Sequence, residues 1–142
     1  MMPILTRNIT VDVDQDDPDT LVVRAVMKDH RHDIALHYWV SLPSFAIGRA
    51  TLEMCDTPLP QCRELCPAAQ QLVGIKVQRG FNRKIRELYA GERGCVNLVH
   101  LLTVSAPLAI NAARFVLRHP KVVTGEGPDP LQGMCFAYSK KG

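Results

Sequence analysis

The sequence predicts an α+β domain, in which an antiparallel sheet of three to four strands in the N-terminal half is covered on one face by about three helices from the C-terminal half. Two observations predict this class. Apolar residues alternate with polar ones up to about residue 54, and they recur at helical spacing from about residue 58 to residue 118. Strands that precede helices, with short connections between the strands, favour antiparallel pairing and helices on one face.

The length and composition are those of one globular domain. The chain has 142 residues, of which 46% are apolar and 22% are charged. This is close to the commonest domain size. We therefore predict a single domain over residues 1–142, with strands mostly within 4–54, helices within 58–118 and a loop-rich tail over 119–142.

Four segments have the two-residue period of a strand. In the first, Ile9, Val11 and Val13 alternate with polar residues, and the charged residues 15–19 then predict an exposed turn. The next three strands are predicted over 21–28, 32–42 and 45–54. One side of the fourth strand is predicted to carry Ala46, Gly48, Ala50, Leu52 and Met54.

Two helices are predicted in the middle of the chain. Apolar residues from Cys62 to Val73 recur close to every 3.6 positions, and Gly74 is placed to end that helix in the left-handed conformation. A shorter helix follows and ends at Gly91. Its apolar stripe consists of Phe81, Ile85, Leu88 and Tyr89.

The last predicted helix begins near Gly94 and Cys95 and runs to about Arg118. Pro107 lies inside it and predicts a kink or a split, because proline lacks an amide hydrogen and its ring clashes with the preceding turn. From Pro120 onward, glycine and proline predict a loop, with residues 134–138 returning as a short strand.

Charge and hydropathy argue against two classes of partner. The net charge is only +3 and the basic residues are scattered, so we expect no nucleic acid partner. One small basic cluster is explained by a solvated helix face; it consists of Lys76, Arg79, Arg83, Lys84 and Arg86. No uninterrupted apolar run approaches the roughly 20 residues that span a bilayer, so we expect no membrane partner either.

The five cysteines are expected to be reduced. The first residues do not have the basic and apolar pattern of a signal peptide, which predicts a cytoplasmic protein. An odd number of cysteines also argues against a closed disulfide framework. The thiols are therefore packing residues, metal ligands or reactive groups.

Cys62 and Cys95 are distinguished by position. Each falls in the first turn of a predicted helix, where free amides and the helix dipole favour a thiolate, the form that binds metals and attacks electrophiles. Cys66 follows Cys62 by one turn, which is a weak pattern for half of a metal site. Packing explains Cys55 and Cys66 more simply, whereas for Cys62 and Cys95 both interpretations stay open.

Two histidines are candidates to act with these cysteines. His100 follows Asn97 by three residues, so both are predicted on one helix face, with Cys95 part of a turn away. His32 and Asp33 predict a local turn in which the aspartate orients the imidazole, although a simple polar turn explains them equally well. His30 and His119 are predicted to face solvent.

Several short motifs follow one another along the chain. They are His32-Asp33, Pro60-x-Cys62-x4-Pro67, Leu72-Val73-Gly74, Gly80-Phe81, Gly94-Cys95-x-Asn97-Leu98 and Cys135-x-Ala137-Tyr138. The ordered set resembles a bacterial family, the domain of unknown function 2889, from about the second strand to the C-terminus. The resemblance implies that Cys62, Cys95 and Cys135 are the recurrent cysteines of that family.

The chain departs from that family at two places. Asn97 stands where the family usually has a histidine, and His100 stands where it has an acidic residue. Phe136 stands where a histidine often follows the last cysteine. More distantly, the order of strands and helices and the cysteine placement resemble iron–sulfur cluster assembly scaffolds, a fold-level analogy only.

Three functions are consistent with these features. The first is a binding or accessory domain in which Cys62, Cys95, Cys135 and His100, with His32 nearby, hold zinc or an iron–sulfur species. The second is an enzyme or sulfur carrier with Cys95 as nucleophile. The third is a structural module in which the apolar stripe of the last helix forms a homodimer or binds another protein.

Overall fold

A computed structural model describes residues 1–124 and 136–139, and it has the predicted α+β architecture. The strands are β1 (Asn8–Asp17), β2 (Thr20–Lys28), β3 (Asp33–Ser41) and β4 (Ile47–Asp56). A 3₁₀ helix (Pro60–Leu72) follows, and then α1 (Phe81–Tyr89), α2 (Val96–Asn111) and α3 (Pro120–Val123).

The four strands form one antiparallel sheet in the order β1-β2-β3-β4. Every second side chain of β2 and β3 is buried, as the alternation predicts. These buried side chains pack with the buried residues of the helices in one core. The residues between them face the other side of the sheet, which carries no helix in the described part of the chain.

The sheet departs from the prediction at two points. β1 continues to Asp17 and leaves only Pro18 and Asp19 for the turn, because the strand pairs with β2 almost to its end. In β4 a register shift brings Val40 opposite Ile47 and Trp39 opposite Arg49. The bulge buries Ile47 and leaves Gly48 exposed, so the prediction that Gly48 lies on the side of Ala50 is wrong.

The segment predicted as the first α-helix is a 3₁₀ helix over Pro60–Leu72. Its apolar spacing is close to that of an α-helix, but Pro67 inside it has no amide hydrogen to donate. The predicted stop is confirmed, since Gly74 has a φ of 92°. The predicted stripe of α1 is confirmed as well: Phe81, Ile85 and Tyr89 are buried.

The last helix is continuous through Pro107, so of the predicted kink or split the split does not occur, and a π-helical turn (Ala112–Val116) extends the helix. The segment Val96–Val116 has 21 residues and is apolar enough, by length and composition, to cross a membrane. Of its most apolar window, 56% is buried inside the fold. Core helices of globular domains have the same properties.

The C-terminal part contains more helix than predicted. Residues 120–123 form α3 instead of a loop, and Phe136–Tyr138 form a 3₁₀ turn instead of a strand. His119 was predicted to face solvent, but it is buried, and its Nε2 lies 2.7 Å from Asp19 Oδ1. Cys135 lies outside the described residues.

Candidate functional site

The connection between β2 and β3, residues 29–32, holds a histidine against an aspartate. Asp29 Oδ1 accepts hydrogen bonds from the backbone amides of Arg31 and His32, both at 2.9 Å. The same oxygen accepts a hydrogen bond from His32 Nδ1 at 2.8 Å. The other oxygen lies 2.8 Å from Nε and 2.7 Å from Nη2 of Arg7. This Asx turn therefore fixes the imidazole of His32 in one orientation.

These contacts also lower the pKa of Asp29 and place a hydrogen on Nδ1 of His32. The backbone amide of Arg31 contributes most to holding the pKa of Asp29 well below its ordinary value of 3.8, and His32 and Arg7 lower the pKa further, while burial opposes them. An ionised carboxylate only accepts hydrogen bonds, so Nδ1 of His32 carries a proton. In a neutral imidazole, Nε2 is then an acceptor.

The first turn of α2 supplies the second partner of His32. Asn97 is the second residue of α2 and is buried. Its Nδ2 lies 3.1 Å from His32 Nε2 and donates a hydrogen bond to it. Both ring nitrogens of His32 are thus engaged, one by the β2–β3 connection and the other by a helix 65 positions further along the chain.

His32 lies on the wall of a cavity of about 380 Å³ at the end of the sheet, which we call the thiol pocket. Its lining comprises His32, Ile34, Met54, Thr57, Pro58, Gln61, Cys62, Glu64, Leu65, Glu92, Arg93, Gly94 and Cys95. Ile34 and Met54 are opposite each other in β3 and β4 and belong to the core. A cavity of this size with a mainly apolar lining is typical of sites for small molecules.

Cys95 reaches the pocket from the N-cap position of α2. Its carbonyl accepts the amide of Val99 at 3.2 Å, and its side chain makes no capping hydrogen bond. Gly94, the residue before it, packs directly on the end of α1: a Cβ there would lie 2.3 Å from the carbonyl oxygen of Tyr89. This close approach sets where α2 begins and therefore where Cys95 lies.

Cys62 reaches the pocket from the 3₁₀ helix. It is half-buried, and its amide donates to the carbonyl of Leu59 at 3.1 Å. The structure therefore brings Cys62, Cys95 and His32 to the lining of one cavity. Cys66 is half-buried and Cys55 is exposed, and neither lines the pocket.

Other residues singled out from the sequence lie elsewhere. His100 is exposed and does not line the pocket, whereas Asn97, three residues earlier in α2, is buried. Asp33 does not orient His32. Because successive strand residues alternate in direction, Asp33 and Ile34 lie on opposite faces of the sheet, and the orienting carboxylate is Asp29 instead.

Those predicted metal ligands that lie within the described residues do not form a cluster. Within residues 1–124 and 136–139, no three His, Cys, Asp or Glu side chains are arranged to hold a metal ion. Of the predicted set, Cys62 and Cys95 share the pocket and His100 lies outside its lining. Cys135 falls outside the described residues, so its role stays a prediction.

Asp29 and Arg7 were missed at the sequence level. One local signal was present: an aspartate placed three residues before a histidine, in a short connection between two strands, is typical of an Asx turn. The contact between His32 and Asn97 had no such signal, because it depends on how α2 docks against the sheet. The same holds for the pocket itself.

The fold and the pocket define a class, a small α+β domain with two thiols on the wall of an apolar cavity. Comparison with models of protein families identifies the family to which the chain belongs. Residues 5–111 match the family described as Protein of unknown function (DUF2889), and the chain belongs to that family. No curated protein and no solved structure matches the chain. The resemblance to iron–sulfur scaffolds gains no support from these comparisons.

Proposed function

We propose that this chain is a binding domain for a small organic ligand, which the thiol pocket holds by its apolar body while Cys62 and Cys95 contact a soft or electrophilic group. The observation that carries this proposal is that both thiols and a histidine of fixed tautomer open onto one cavity of about 380 Å³.

The lining supports an apolar ligand body. Ile34 and Met54 form the buried end of the pocket, and half-buried Leu65 lies beside Cys62 on the 3₁₀ helix. The charged members, Glu64, Glu92 and Arg93, are exposed. Burying an apolar group the size of a leucine side chain contributes about 2 kcal/mol, so the apolar wall is the main source of affinity, and the polar groups fix the orientation of the ligand.

The hydrogen bonds of His32 favour binding over acid–base catalysis. Nδ1 donates to Asp29 and Nε2 accepts from Asn97, so neither ring nitrogen is free to take a proton from a thiol. His32 is therefore a positioning residue. A resident zinc or iron–sulfur species is not part of the proposal, because the side chains in the described part of the chain lack a three-ligand cluster.

Two maleimides with the same reactive ring test the proposal. N-phenylmaleimide carries an apolar group that fits the pocket, and N-methylmaleimide lacks it. We expect the ratio of alkylation rates, phenyl over methyl, to be about tenfold higher at Cys62 and Cys95 than at exposed Cys55. Peptide mass spectrometry at early times measures the rate at each cysteine.

Cys66 is the matched control for this experiment, since it is half-buried like Cys62 but does not line the pocket. A Leu65→Gln variant is expected to lower the phenyl preference at Cys62 and Cys95 and to leave Cys55 unchanged. Equal phenyl-to-methyl ratios at Cys55, Cys62, Cys66 and Cys95 would sink the proposal.

A second candidate, a cysteine-dependent enzyme with Cys95 as nucleophile, is favoured by one observation. The first turn of α2 has no acidic residue, and its N-cap side chain makes no capping hydrogen bond, so Cys95 lies next to free helix amides of the kind that favour a reactive thiol. We expect iodoacetamide to alkylate half-buried Cys95 faster than exposed Cys55 near pH 6. A slower rate at Cys95 would exclude this candidate and leave the binding function standing.

A further inference from the structure

The face of the sheet that points away from the helices, here called the outer sheet face, carries apolar side chains on its two central strands. Its central positions on β2 and β3 are Val22, Val26, Ala35 and Trp39, and all four are half-buried although the described part of the chain covers this face with no helix. They form two apolar pairs, Val22 with Trp39 and Val26 with Ala35, on either side of the pair Arg24 and His37. A sheet face that leaves large apolar side chains without a covering layer is typical of a contact site for another macromolecule.

Polar groups on this face are arranged around Trp39. Arg49 lies over the indole, with its guanidinium carbon 4.4 Å from the ring centroid. His37 meets the same ring edge-on, at a centroid distance of 6.5 Å. Its Nε2 is buried and has no hydrogen-bond partner among the described residues. Arg49 therefore shields one side of the Trp39 ring. Nε2 of His37 is a buried polar atom whose hydrogen bond is not satisfied by the described residues.

The register of the strands orders this face into rows across the sheet. One row runs Asp14, Val22, Trp39, Arg49, and the neighbouring row runs Asp12, Arg24, His37, Thr51. A third row runs Thr10, Val26, Ala35, Glu53. The acidic end of the first row lies on β1 and its basic end lies on β4, three strand spacings away.

This charge pattern selects among possible partners. A nucleic acid is disfavoured, because Asp12, Asp14 and Glu53 would repel phosphates. A second copy of the chain is favoured, because a two-fold axis parallel to the strands reverses each row, and in the first row it brings acidic Asp14 of one copy onto basic Arg49 of the other.

We propose that two copies of this chain associate through their outer sheet faces, related by a two-fold axis parallel to the strands. Asp14 then lies over Arg49 of the other copy, and Val22 lies over its Trp39. In the third row Val26 lies over Ala35 of the other copy. Both apolar pairs become buried, with Arg24 over His37 of the other copy in the row between them, and the one charged pair of the first row occurs twice in the dimer.

The size of the face sets the strength of the contact. Four strands about 4.8 Å apart, each contributing about eight residues at about 3.3 Å, give a projected area of roughly 500 Å² per copy. This lies at the small end for specific interfaces, so the dimer is expected to dissociate on dilution. The contact is independent of the thiol pocket, which lies on the helix side and end of the sheet.

Analytical ultracentrifugation of the full chain over a wide concentration range tests the proposal. We expect reversible dimerisation, weakened about tenfold or more by either Asp14→Arg or Arg49→Asp. The double variant with both substitutions is expected to recover most of the loss. Because these two residues are about 14 Å apart within one sheet, recovery can only come from pairing between copies.

Glu87→Arg, at an exposed position of α1, is the matched control, since it changes the net charge as Asp14→Arg does but lies on the helix side of the sheet. It is expected to leave dimerisation unchanged, and circular dichroism checks that each variant is folded. A chain that stays monomeric up to on the order of 1 mM overturns the proposal in favour of a different partner. A dimer that responds equally to Glu87→Arg and Asp14→Arg, or that the double variant does not restore, overturns it as well.

Discussion

Asp29 is the residue on which the candidate site depends most. Its side chain, only 6% exposed, joins three parts of the chain: the segment before β1 through Arg7, the β2–β3 connection through two backbone amides, and the pocket wall through His32. A charged carboxylate that is largely removed from water is stable only when such donors surround it. Asp29 therefore fixes both the shape of the connection and the tautomer of His32.

The low pKa of Asp29 predicts acid sensitivity. Below about pH 3.8 the unfolded chain binds a proton at Asp29 that the folded chain does not bind. The free energy of unfolding must therefore fall as the pH drops below that value. We expect Asp29→Asn to be less stable than wild type at neutral pH, and the difference to shrink on acidification. Urea unfolding at a series of pH values measures it.

Asp33→Asn is the control for this experiment, because Asp33 is in the adjacent strand but outside the hydrogen-bond network of His32. A difference between wild type and Asp29→Asn that stays constant down to the lowest accessible pH would show that Asp29 does not exert its effect as a charged group.

The partners of His32 could be predicted from the sequence only in part. The sequence drew attention to His32 and assigned its partner to Asp33, the nearest acidic residue. The alternation of a strand places Asp33 on the outer sheet face, and the Asx turn places Asp29 against the ring instead. Local turn chemistry could have identified Asp29. The pairing of His32 with Asn97 could not be predicted, since it joins a strand connection to a distant helix.

At the scale of elements, the junction between α1 and α2 positions Cys95. Gly91 ends the α1 region in the left-handed conformation, with a φ of 66°. Gly94 then lies against the backbone of Tyr89, so closely that a side chain at this position would push the two backbone segments apart. The short connection leaves α2 no freedom in where it begins.

Gly94→Ala is expected to destabilise the fold by about 1 to 3 kcal/mol, because its Cβ would lie 2.3 Å from the oxygen and 2.7 Å from the Cα of Tyr89, which are backbone atoms. Gly48→Ala is the matched control, since a Cβ there meets nothing within 4 Å. Thermal unfolding compares the two. An equal effect of both substitutions would contradict the packing argument. Faster alkylation of Cys95 in Gly94→Ala is a second expected readout.

Element type followed from the sequence where one periodicity dominated, as in β2, β3 and α1. The prediction of element type failed where two effects competed. The segment around Cys62 has helical spacing, but Pro67 interrupts its amides, and a 3₁₀ helix results. The bulge at Gly48 arises from pairing with β3, and no residue pattern within β4 predicts it. Interactions between elements therefore limited the prediction.

At the scale of the whole molecule, a buried hydroxyl pair connects the sheet to its covering helix. Tyr38, at the centre of β3, and Ser105, in the middle of α2, are both fully buried, and their oxygens are 2.6 Å apart. Burial raises the pKa of Tyr38, and the hydrogen bond to Ser105 opposes it, so the phenol stays protonated well above its ordinary range. This contact fixes the position of α2, and with it Asn97 and Cys95.

We expect Ser105→Ala to lower the free energy of unfolding by about 1 to 3 kcal/mol, because it leaves the Tyr38 hydroxyl buried without a partner. Tyr38→Phe removes the hydroxyl from the other side. The double variant is expected to lose clearly less than the sum of the two single losses, since neither polar group is then left unpaired. Urea unfolding of the four proteins gives the coupling energy directly. If the losses simply add, the hydrogen bond contributes nothing, and the position of α2 depends on apolar packing alone.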